Sequence, residues 1–367
     1  MAGLSARKHA VTTPDHADPA CGVSGTGAHV QVWRDLAEVP VGFGPSVVTI
    51  GNFDGVHRGH VDVLRRMVAD AAASGCRAVA VTFTPHPARV HRPQVAPPLL
   101  TGDDERLELL AATGLDGVLL ATYTLEFAQQ TPEEFVRTYL VDALRARTVV
   151  VGRDVRFGKD NAGDLATMTA LGERLGFRVD VVDDVRPPAA GDAGGEEDPA
   201  AHRWRRWSST WARELLAAGD VAGAARVLGR PHRVRGIVVR GDARGRTLGY
   251  PTANLGPDAT GMVPADGVYA GRLVRLRDVH GRPVPQDDPD RRLPAAISVG
   301  TNPTFHGHER RVEAYVLDRD DLELYGEEVA VELVARLRGM ERFASVDELL
   351  TTMADDVRRA REVLAPV

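Results

Sequence analysis

Two histidines in a glycine-rich segment are the strongest chemical signal in this sequence. The segment reads GNFDGVHRGH (51–60), and His57 and His60 fall where a short apolar run gives way to a helical pattern. A helix that begins here offers free N–H groups and the positive end of its dipole to a phosphate. Both imidazoles can face that phosphate and donate hydrogen bonds to the charge that develops during group transfer. The pattern predicts a phosphate site that carries out nucleotidyl transfer.

The glycines of this segment fit the prediction without deciding it. Gly51, Gly55 and Gly59 allow a tight turn and a close approach of the backbone to a ligand. The same glycines suit a dinucleotide-binding loop, or an ordinary turn that carries two solvated histidines. The spacing of the two histidines at a strand–helix junction favours nucleotidyl transfer over both alternatives.

A cluster of hydroxyl side chains occurs later, in WSSTWAR (207–213). Ser208, Ser209 and Thr210, with Arg213 one turn further on, suit a helix N-terminus that binds phosphate while the guanidinium meets pyrophosphate charge. Taken alone, the cluster is more simply interpreted as an ordinary helix cap. The histidine pair in the same predicted domain favours phosphate binding.

Two loops that follow predicted strands are candidates for binding a flat substrate. They are TFTPHP (82–87) and VGRDVRFGKDNAGD (151–164). In the second loop, Phe157 can stack on a ring and Asp154 can hydrogen-bond it, although either can equally be a structural loop residue. Ligands of parallel sheets bind at the C-terminal ends of the strands, which is where both loops lie.

A different site is predicted near the C-terminus. In GRTLGYPTAN (245–254), Thr252 and Asn254 lie on one side of an extended segment and offer two oxygen ligands to Mg²⁺, alongside phosphate oxygens. Glu313 is the leading candidate to accept a proton from a substrate hydroxyl, although an exposed strand residue is the simpler interpretation of it alone. The sequence contains no GxxxxGK[ST] segment, which excludes a P-loop kinase.

Alternating strand and helix patterns position the first group of residues. Helices are expected over 59–74, 103–113 and 164–175, and another begins at Thr131, where Glu134 completes a capping box. The alternation predicts a Rossmann-like parallel sheet covered on both faces, in an α/β domain. The five predicted strands are SVVTI, RAVAVTF, GVLLATY, RTVVVG and FRVDVVDDV.

Beyond Pro231 the rhythm changes to strands without intervening helices, which predicts a small antiparallel β-barrel. A polar hairpin loop is expected over 278–292, and a final helix begins at Ser345 with Glu348 completing a capping box. The five predicted barrel strands are RVRGIVVRG, GVYAGRLVRL, LPAAISVG, RRVEAYVLD and EEVAVELVARL.

Composition separates the chain into a tail and two domains. Residues 1–29 are polar and aperiodic, which predicts a disordered tail. The first domain is expected over 30–226, with a flexible Pro/Gly/Ala-rich loop at 186–203, and the second over 227–367.

Composition also excludes several classes of protein. The net charge of -6 argues against a nucleic-acid partner. The chain has only two cysteines, Cys21 and Cys76, which fits a reducing compartment. It contains no run of about 18 apolar residues, so no membrane-spanning helix is predicted. We expect a cytoplasmic protein, and the sequence leaves self-association open.

Four motifs in one order carry a resemblance to a known family. GNFDGVHRGH resembles the HxGH class of adenylyltransferases. Together with SSTWAR, GYPTAN and VEAYVLD…DLELYG, it makes the sequence from about residue 30 to 367 similar to the bacterial bifunctional riboflavin kinase/FAD synthetase family. The resemblance implies an FMN adenylyltransferase domain followed by a six-stranded riboflavin kinase barrel. It also implies ATP with Mg²⁺, and riboflavin, FMN and FAD as further small-molecule partners.

The same resemblance implies roles for individual residues. Glu313 would be the base for the ribityl 5′-hydroxyl, and Thr252 and Asn254 would contact the metal. Asp154 and Phe157 would lie near the flavin. The catalytic residues of the first domain would be His57, His60 and Arg213, and the nucleotide-binding residues of the chain would be Gly51, Asn52, Phe53, Asp54, Gly55, Gly59, Ser208, Ser209, Thr210, Gly249 and Pro251.

Two other functions fit parts of this pattern. One is an adenylyltransferase for another substrate, fused to a degenerate barrel, and the intact PTAN with a downstream glutamate argues against it. The other is a flavin-binding protein without turnover. Loss of His57, His60 or Glu313 would favour that second alternative, and all three residues are present.

Overall fold

The computed structural model of this chain describes residues 30–183, 185, 205–241, 249–304 and 307–365. The predicted tail (1–29) and the predicted loop 186–203 lie outside the described residues. Within the described part of the chain, no helix is long and apolar enough to cross a membrane.

The first domain is built on a six-stranded parallel sheet in the order β1–β4–β3–β2–β5–β6. Its central strands are apolar throughout because both faces of the sheet are covered. The five predicted strands are present, but the prediction missed β1, which has only three residues and forms the edge of the sheet next to β4. The strands are β1 Gln31–Trp33, β2 Ser46–Ile50, β3 Arg77–Thr84, β4 Gly117–Thr122, β5 Ala146–Gly152 and β6 Arg178–Val182.

Helices cover both faces of this sheet. Leu64 and Leu110 pack on one face and Phe135 and Met168 on the other, in two separate apolar clusters. The predicted capping box is confirmed, since Thr131 and Glu134 exchange hydrogen bonds of 3.2 and 2.7 Å. The helices are α1 Arg58–Ala73, α2 Pro87–His91, α3 Asp103–Ala111, α4 Pro132–Phe135 (continued by a π-helical segment, Val136–Ala143) and α5 Leu165–Leu175, with short 3-10 turns at Leu36–Glu38, Pro93–Val95, Phe127–Gln129 and Lys159–Asn161.

The strand order creates a switch point beside β2. From β2 the chain moves through β3 and β4 to one side of the sheet, and β5 and β6 lie on the other side. Ligands of open α/β sheets bind where the winding direction reverses, outside the carboxyl ends of the strands. The glycine-rich loop between β2 and α1 lies at this position.

The second domain is a closed antiparallel barrel in the order β10–β11–β8–β7–β12–β9. The five predicted strands are present. The sixth, β8, was not among the predicted strands; it begins at the end of the segment GRTLGYPTAN (245–254) and closes the barrel by pairing with both β7 and β11. The strands are β7 His232–Val239, β8 Ala253–Leu255, β9 Gly267–Arg277, β10 Arg292–Thr304, β11 Gly307–Val316 and β12 Glu328–Arg338.

The hairpin loop predicted over 278–292 is confirmed between β9 and β10. The final helix, α8, spans Val346–Leu364 and packs on the outside of the barrel through Val357 and Ala360. Its capping box is incomplete. Ser345 accepts a hydrogen bond from the Glu348 N–H at 3.2 Å, but the Glu348 carboxylate accepts from the Ala344 N–H at 2.8 Å instead of from Ser345.

Two helices, α6 (Ser209–Ala218) and α7 (Val221–Leu228), join the domains. Their apolar side chains, including Leu216 and Val227, belong to the same buried cluster as Val234 and Tyr269 of the barrel. The domains therefore share a core. The predicted boundary at 226/227 falls inside α7, and separate function of the two sides stays a prediction.

Candidate active sites

The loop between β2 and α1 has an unusual backbone. Three of its residues have positive φ angles: 47° at Phe53, 78° at Gly55 and 35° at Val56. Only glycine adopts this region without cost, so Phe53 and the β-branched Val56 are strained. Strain of this kind persists only where the surroundings hold the backbone in place.

Polar side chains from three other segments hold this loop. Arg106 of α3 donates from Nη1 to the Asn52 carbonyl at 3.1 Å. Ser209 of α6 donates to the Asp54 carbonyl at 2.7 Å. Arg230, just after α7, donates from Nη2 to the Gly55 carbonyl at 2.8 Å.

The two histidines are in direct contact. His57 is the N-cap of α1, where its Nδ1 accepts a hydrogen bond from the His60 N–H at 3.3 Å. Their rings are stacked, with centroids 3.7 Å apart and planes inclined by 21°, and Phe53 packs edge-on against His60. Both histidines lie at the N-terminus of α1, as the sequence predicted, and their contact with a phosphate stays a prediction.

Burial sets the protonation of this pair. It lowers the pKa of His57 well below its usual value, and it lowers the pKa of His60 to about 4. Both imidazoles are therefore neutral at pH 7, and each carries a single N–H to donate. Nδ1 of His60 is buried and has no hydrogen-bond partner among the described residues. A buried polar atom left unpaired calls for a ligand or ordered water.

A cleft of about 300 Å³ opens in front of the histidines, between the carboxyl ends of β2, β5 and β6. Arg206 and Trp207 form its wall opposite the sheet. Seven of the predicted site residues line it: Gly51, Phe53, His57, Gly59, His60, Asp154 and Ser208.

Asp54 and Arg213 lie behind the loop and do not line this cleft. The buried Asp54 carboxylate accepts hydrogen bonds from the N–H groups of Leu100, at 2.9 Å, and Thr101, at 3.1 Å, and forms an ion pair with Arg213. Arg213 also donates from Nε to the Pro98 carbonyl at 2.8 Å. In the described contacts these residues brace the loop, and contact with phosphate stays a prediction.

The remaining residues of the hydroxyl cluster differ in their surroundings. Ser208 is the N-cap of α6 and accepts a hydrogen bond from the Trp211 N–H at 3.2 Å. Ser209 points to the histidine loop through its bond to the Asp54 carbonyl, and Thr210 is exposed. Of the three hydroxyl residues, only Ser208 lines the cleft.

A second cavity of about 160 Å³ lies on the other side of Ile50, which lines both spaces. Phe157 and Asn52 line this cavity, whereas Asp154 lines the histidine cleft, where it is 3.0 Å from Arg206. The two residues predicted to contact the flavin are thus in adjoining cavities. Phe83, from the predicted substrate loop 82–87, also lines this cavity. The prediction missed its other aromatic side chains, which are Tyr123, Phe127 and Phe135.

The barrel brings together the three residues predicted for its own site. Glu313 on β11 pairs with Asn254 on β8. The Thr252 hydroxyl donates to Oε2 of Glu313 at 3.5 Å, and Nδ2 of Asn254 donates to Oγ1 of Thr252 at 3.2 Å. Gly249 has a φ of 84° and precedes this group, while residues 242–248 lie outside the described part of the chain.

A cavity of about 210 Å³ adjoins this group of oxygens. Thr252 and Glu313 lie on its wall, but Gly249 and Pro251 do not. Tyr250 and Tyr315 of its lining lie within two of the motifs, GYPTAN and VEAYVLD. No pattern in the sequence predicted that they would meet the other apolar residues of the wall, which come from separate elements: Met340, Phe343 and Met353.

The donor set beside this cavity suits a metal that arrives with its own ligands. Thr252, Asn254 and Glu313 supply only oxygen, the donor type that Mg²⁺ prefers. Among the described residues, no cluster of three His, Cys, Asp or Glu side chains could hold a metal ion. A metal here would need further oxygen ligands from water or from a bound nucleotide.

Each domain matches a family model. Residues 43–190 match the model for FAD synthetase, and residues 228–364 match the model for riboflavin kinase. The bifunctional riboflavin kinase/FMN adenylyltransferase of Escherichia coli K12 is 35% identical to this chain over 316 residues, which is 86% of this chain and 92% of that protein. The chain belongs to this bifunctional family.

Other members of the bifunctional riboflavin kinase/FMN adenylyltransferase family agree with this assignment. The Pseudomonas fluorescens protein is 35% identical over 325 residues, which cover 87% of this chain and 93% of that protein. A crystal structure from Streptococcus pneumoniae, described as a macrolide-efflux protein, superposes with a TM-score of 0.73 at 29% identity. It covers 90% of this chain and 98% of its own, so the two-domain architecture is shared.

Family membership confirms the main interpretation of the sequence. The chain is an enzyme with a FAD synthetase domain and a riboflavin kinase domain, and each domain contains one of the candidate sites described above. A degenerate barrel and a flavin-binding protein without turnover are both disfavoured.

Proposed function

We propose that the His57–His60 cleft adenylylates FMN and that the Glu313 cavity phosphorylates riboflavin. The observation that carries the first half is the stacked, neutral histidine pair at the N-terminus of α1, with an imidazole nitrogen left unpaired. The family match assigns each chemistry to its domain.

In the adenylyl step, a phosphate oxygen of FMN attacks the α-phosphorus of ATP, and the bond from that phosphorus to the pyrophosphate oxygen breaks. His57 and His60 donate hydrogen bonds to the charge on the transferred group, and the N-terminus of α1 adds its dipole. The flavin ring lies in the aromatic cavity, so its phosphate reaches the cleft past Ile50, which lines both spaces. Positioning provides much of the remaining rate.

In the kinase step, the riboflavin 5′-hydroxyl attacks the γ-phosphorus of ATP while Glu313 accepts its proton. Tyr250 and Tyr315, which contact each other edge-on at 5.1 Å, offer a flat surface to the flavin ring within the same cavity. ADP leaves with the electron pair of the broken bond.

Both families use ATP with a divalent metal ion, and we propose Mg²⁺. Thr252 and Asn254 would hold it, and the ion would neutralise charge on the ATP phosphates when bound. Since these two residues are neutral, Mg²⁺ should bind the protein weakly unless nucleotide is present. Titration calorimetry with and without ADP tests this, and tight binding without nucleotide would contradict it.

We also propose that the enzyme works in the cytoplasm, since Cys76 is unpaired and the substrates include ATP. Cell fractionation with an antibody against the chain tests this location, and recovery outside the soluble cytoplasmic fraction would contradict it.

The decisive assay follows all three flavins at once. The chain is incubated with riboflavin, ATP and Mg²⁺, and riboflavin, FMN and FAD are separated by chromatography over time. FMN should form first and FAD after it. Accumulation of FMN alone would remove the adenylyl assignment, and no change in riboflavin would remove the kinase assignment.

A further inference from the structure

The segment that leads into the barrel touches the histidine loop of the other domain. Gly229 ends α7 with a φ of 77°, and Arg230 follows it two residues before β7 begins. The guanidinium of Arg230 donates to the Gly55 carbonyl at 2.8 Å from Nη2, and to the Val56 carbonyl at 3.3 Å from Nη1.

These two carbonyls belong to the most strained part of the loop. Gly55 and Val56 have positive φ angles, and His57, which caps α1, is the next residue. Leu228 also packs here, since a Cβ on Gly55 would lie 3.2 Å from its side chain. The end of α7 and Arg230 therefore hold the backbone directly before the first histidine.

The guanidinium is held by three backbone carbonyls. Nη1 of Arg230 also donates to the Leu228 carbonyl at 3.2 Å, so one cation spans the end of α7 and the loop. Burial lowers its pKa to about 10, and the nearby Glu105 carboxylate opposes that effect. Glu105 is itself only 3% exposed. A buried, hydrogen-bonded guanidinium is a rigid support, because its planar fork loses little freedom when it binds.

We propose that Arg230 is a positioning residue for FMN adenylylation, which fixes the Gly55–Val56 backbone and thereby the placement of His57. It acts from the C-terminal side of the FAD synthetase match, so the start of the kinase domain contributes to the other active site. The proposal rests on the assignment of His57 and His60 to adenylyl transfer.

The test compares Arg230→Gln and Arg230→Lys with Arg226→Gln in the full-length chain. Arg226 is exposed on α7 and serves as the matched control. Both activities are measured in each preparation, with kcat and KM separated, and His60→Ala is assayed alongside.

For Arg230→Gln, we expect kcat for FAD formation to fall about 10- to 100-fold, because small displacements of catalytic groups have effects of that size. The KM for ATP should change less than kcat, and riboflavin phosphorylation should stay within about twofold, since the loop belongs to the other site. Arg230→Lys should recover part of the rate through one of the two hydrogen bonds. Arg226→Gln should match the wild type in both reactions.

A second readout separates positioning from simple support of the fold. Burial lowers the pKa of His57 most, and the charged and titratable groups that act on it, which are His60, Arg206 and Arg230, lower it further. Removal of the Arg230 charge should therefore raise the pKa of His57 and shift the acid limb of the kcat profile for FAD formation to higher pH. Loss of stability alone would leave that limb in place.

Several outcomes would overturn the proposal. They are FAD formation by Arg230→Gln within twofold of wild type, full activity of Arg230→Gln at every pH, or a parallel loss of both activities in Arg230→Lys. If Arg230→Gln does not fold, Arg230→Lys, which keeps the charge and the apolar stem, decides the question alone. Unchanged FAD formation by His60→Ala would remove the proposed function instead.

Discussion

Nδ1 of His57 accepts a hydrogen bond from the His60 N–H at 3.3 Å, so the first histidine caps the helix that carries the second. The same contact stacks the two rings at 3.7 Å. His57 therefore has a structural role in addition to its proposed chemical one, and substitutions must separate the two.

His57→Asn keeps a good N-cap residue and removes the imidazole, whereas His57→Ala removes both. We expect both variants to lose about 10²- to 10³-fold in the rate of FAD formation, the usual cost of a lost donor to transition-state charge. Only the alanine variant should also lose about 1 kcal/mol of stability. Riboflavin phosphorylation by the same preparations is the internal control. Near-normal FAD formation by His57→Asn would show that His57 serves only as the N-cap of α1.

Glu313→Gln should stop riboflavin phosphorylation while FMN is still converted to FAD. The amide keeps the shape of the carboxylate beside Thr252 but cannot accept a proton, and loss of a general base costs about 10²- to 10⁴-fold in rate. Glu173→Gln, on an exposed position of α5 in the other domain, is the matched control. A kinase rate for Glu313→Gln within severalfold of wild type would show that Glu313 only positions the substrate.

The free energy of unfolding should decrease as the pH falls from about 6.5 toward 5. Burial lowers the pKa of His232 to about 4, below the value of an unfolded histidine, so the unfolded chain binds a proton first. The contribution of the neutral His232 to the free energy of unfolding is complete above the pKa of histidine in the unfolded chain. It is lost as the pH falls toward the pKa of His232 in the folded protein. Each such histidine contributes a slope of up to about 1.4 kcal/mol per pH unit.

Urea unfolding followed by circular dichroism measures this slope. In the wild type, Nε2 of His232 lies 2.7 Å from the Met262 carbonyl, and the amide of His232→Gln can still donate to that carbonyl. This variant should flatten the dependence of the unfolding free energy on pH. His280→Gln, on the exposed hairpin loop, should leave the slope unchanged. An equal slope in all three chains would show that His232 is not the group that titrates.

The two activities should be separable in fragments of the chain. The stability and activity of each fragment should depend on where the chain is cut. A fragment of 227–367 should phosphorylate riboflavin, but a fragment of 205–367 should be more stable, because α6 and α7 pack on the barrel. Thermal unfolding of both fragments, with kinase assays, tests this. Equal stability would mean that the shared core contributes little to the barrel.

The two sites differ in how much of their residue arrangement can be predicted from the sequence. The histidine pair was predictable because both residues lie within one turn of the start of α1, so local geometry alone brings them together. Glu313 and Thr252 are 61 residues apart, and their contact depends on the register of β8 against β11. The family resemblance indicated that pairing, but the short β8 strand that creates it was not visible in the pattern.

The two kinds of domain, the order of their motifs and the position of the histidines are predictable from local sequence, because periodicity and helix caps are properties of neighbouring residues. Which side chains surround the histidines depends on how distant elements pack together. No motif in the sequence includes Arg106 or Arg230, yet both donate hydrogen bonds to carbonyls of the histidine loop. Backbone groups left unpaired by a strained loop must find donors, and only the packing of distant helices decides which residues provide them.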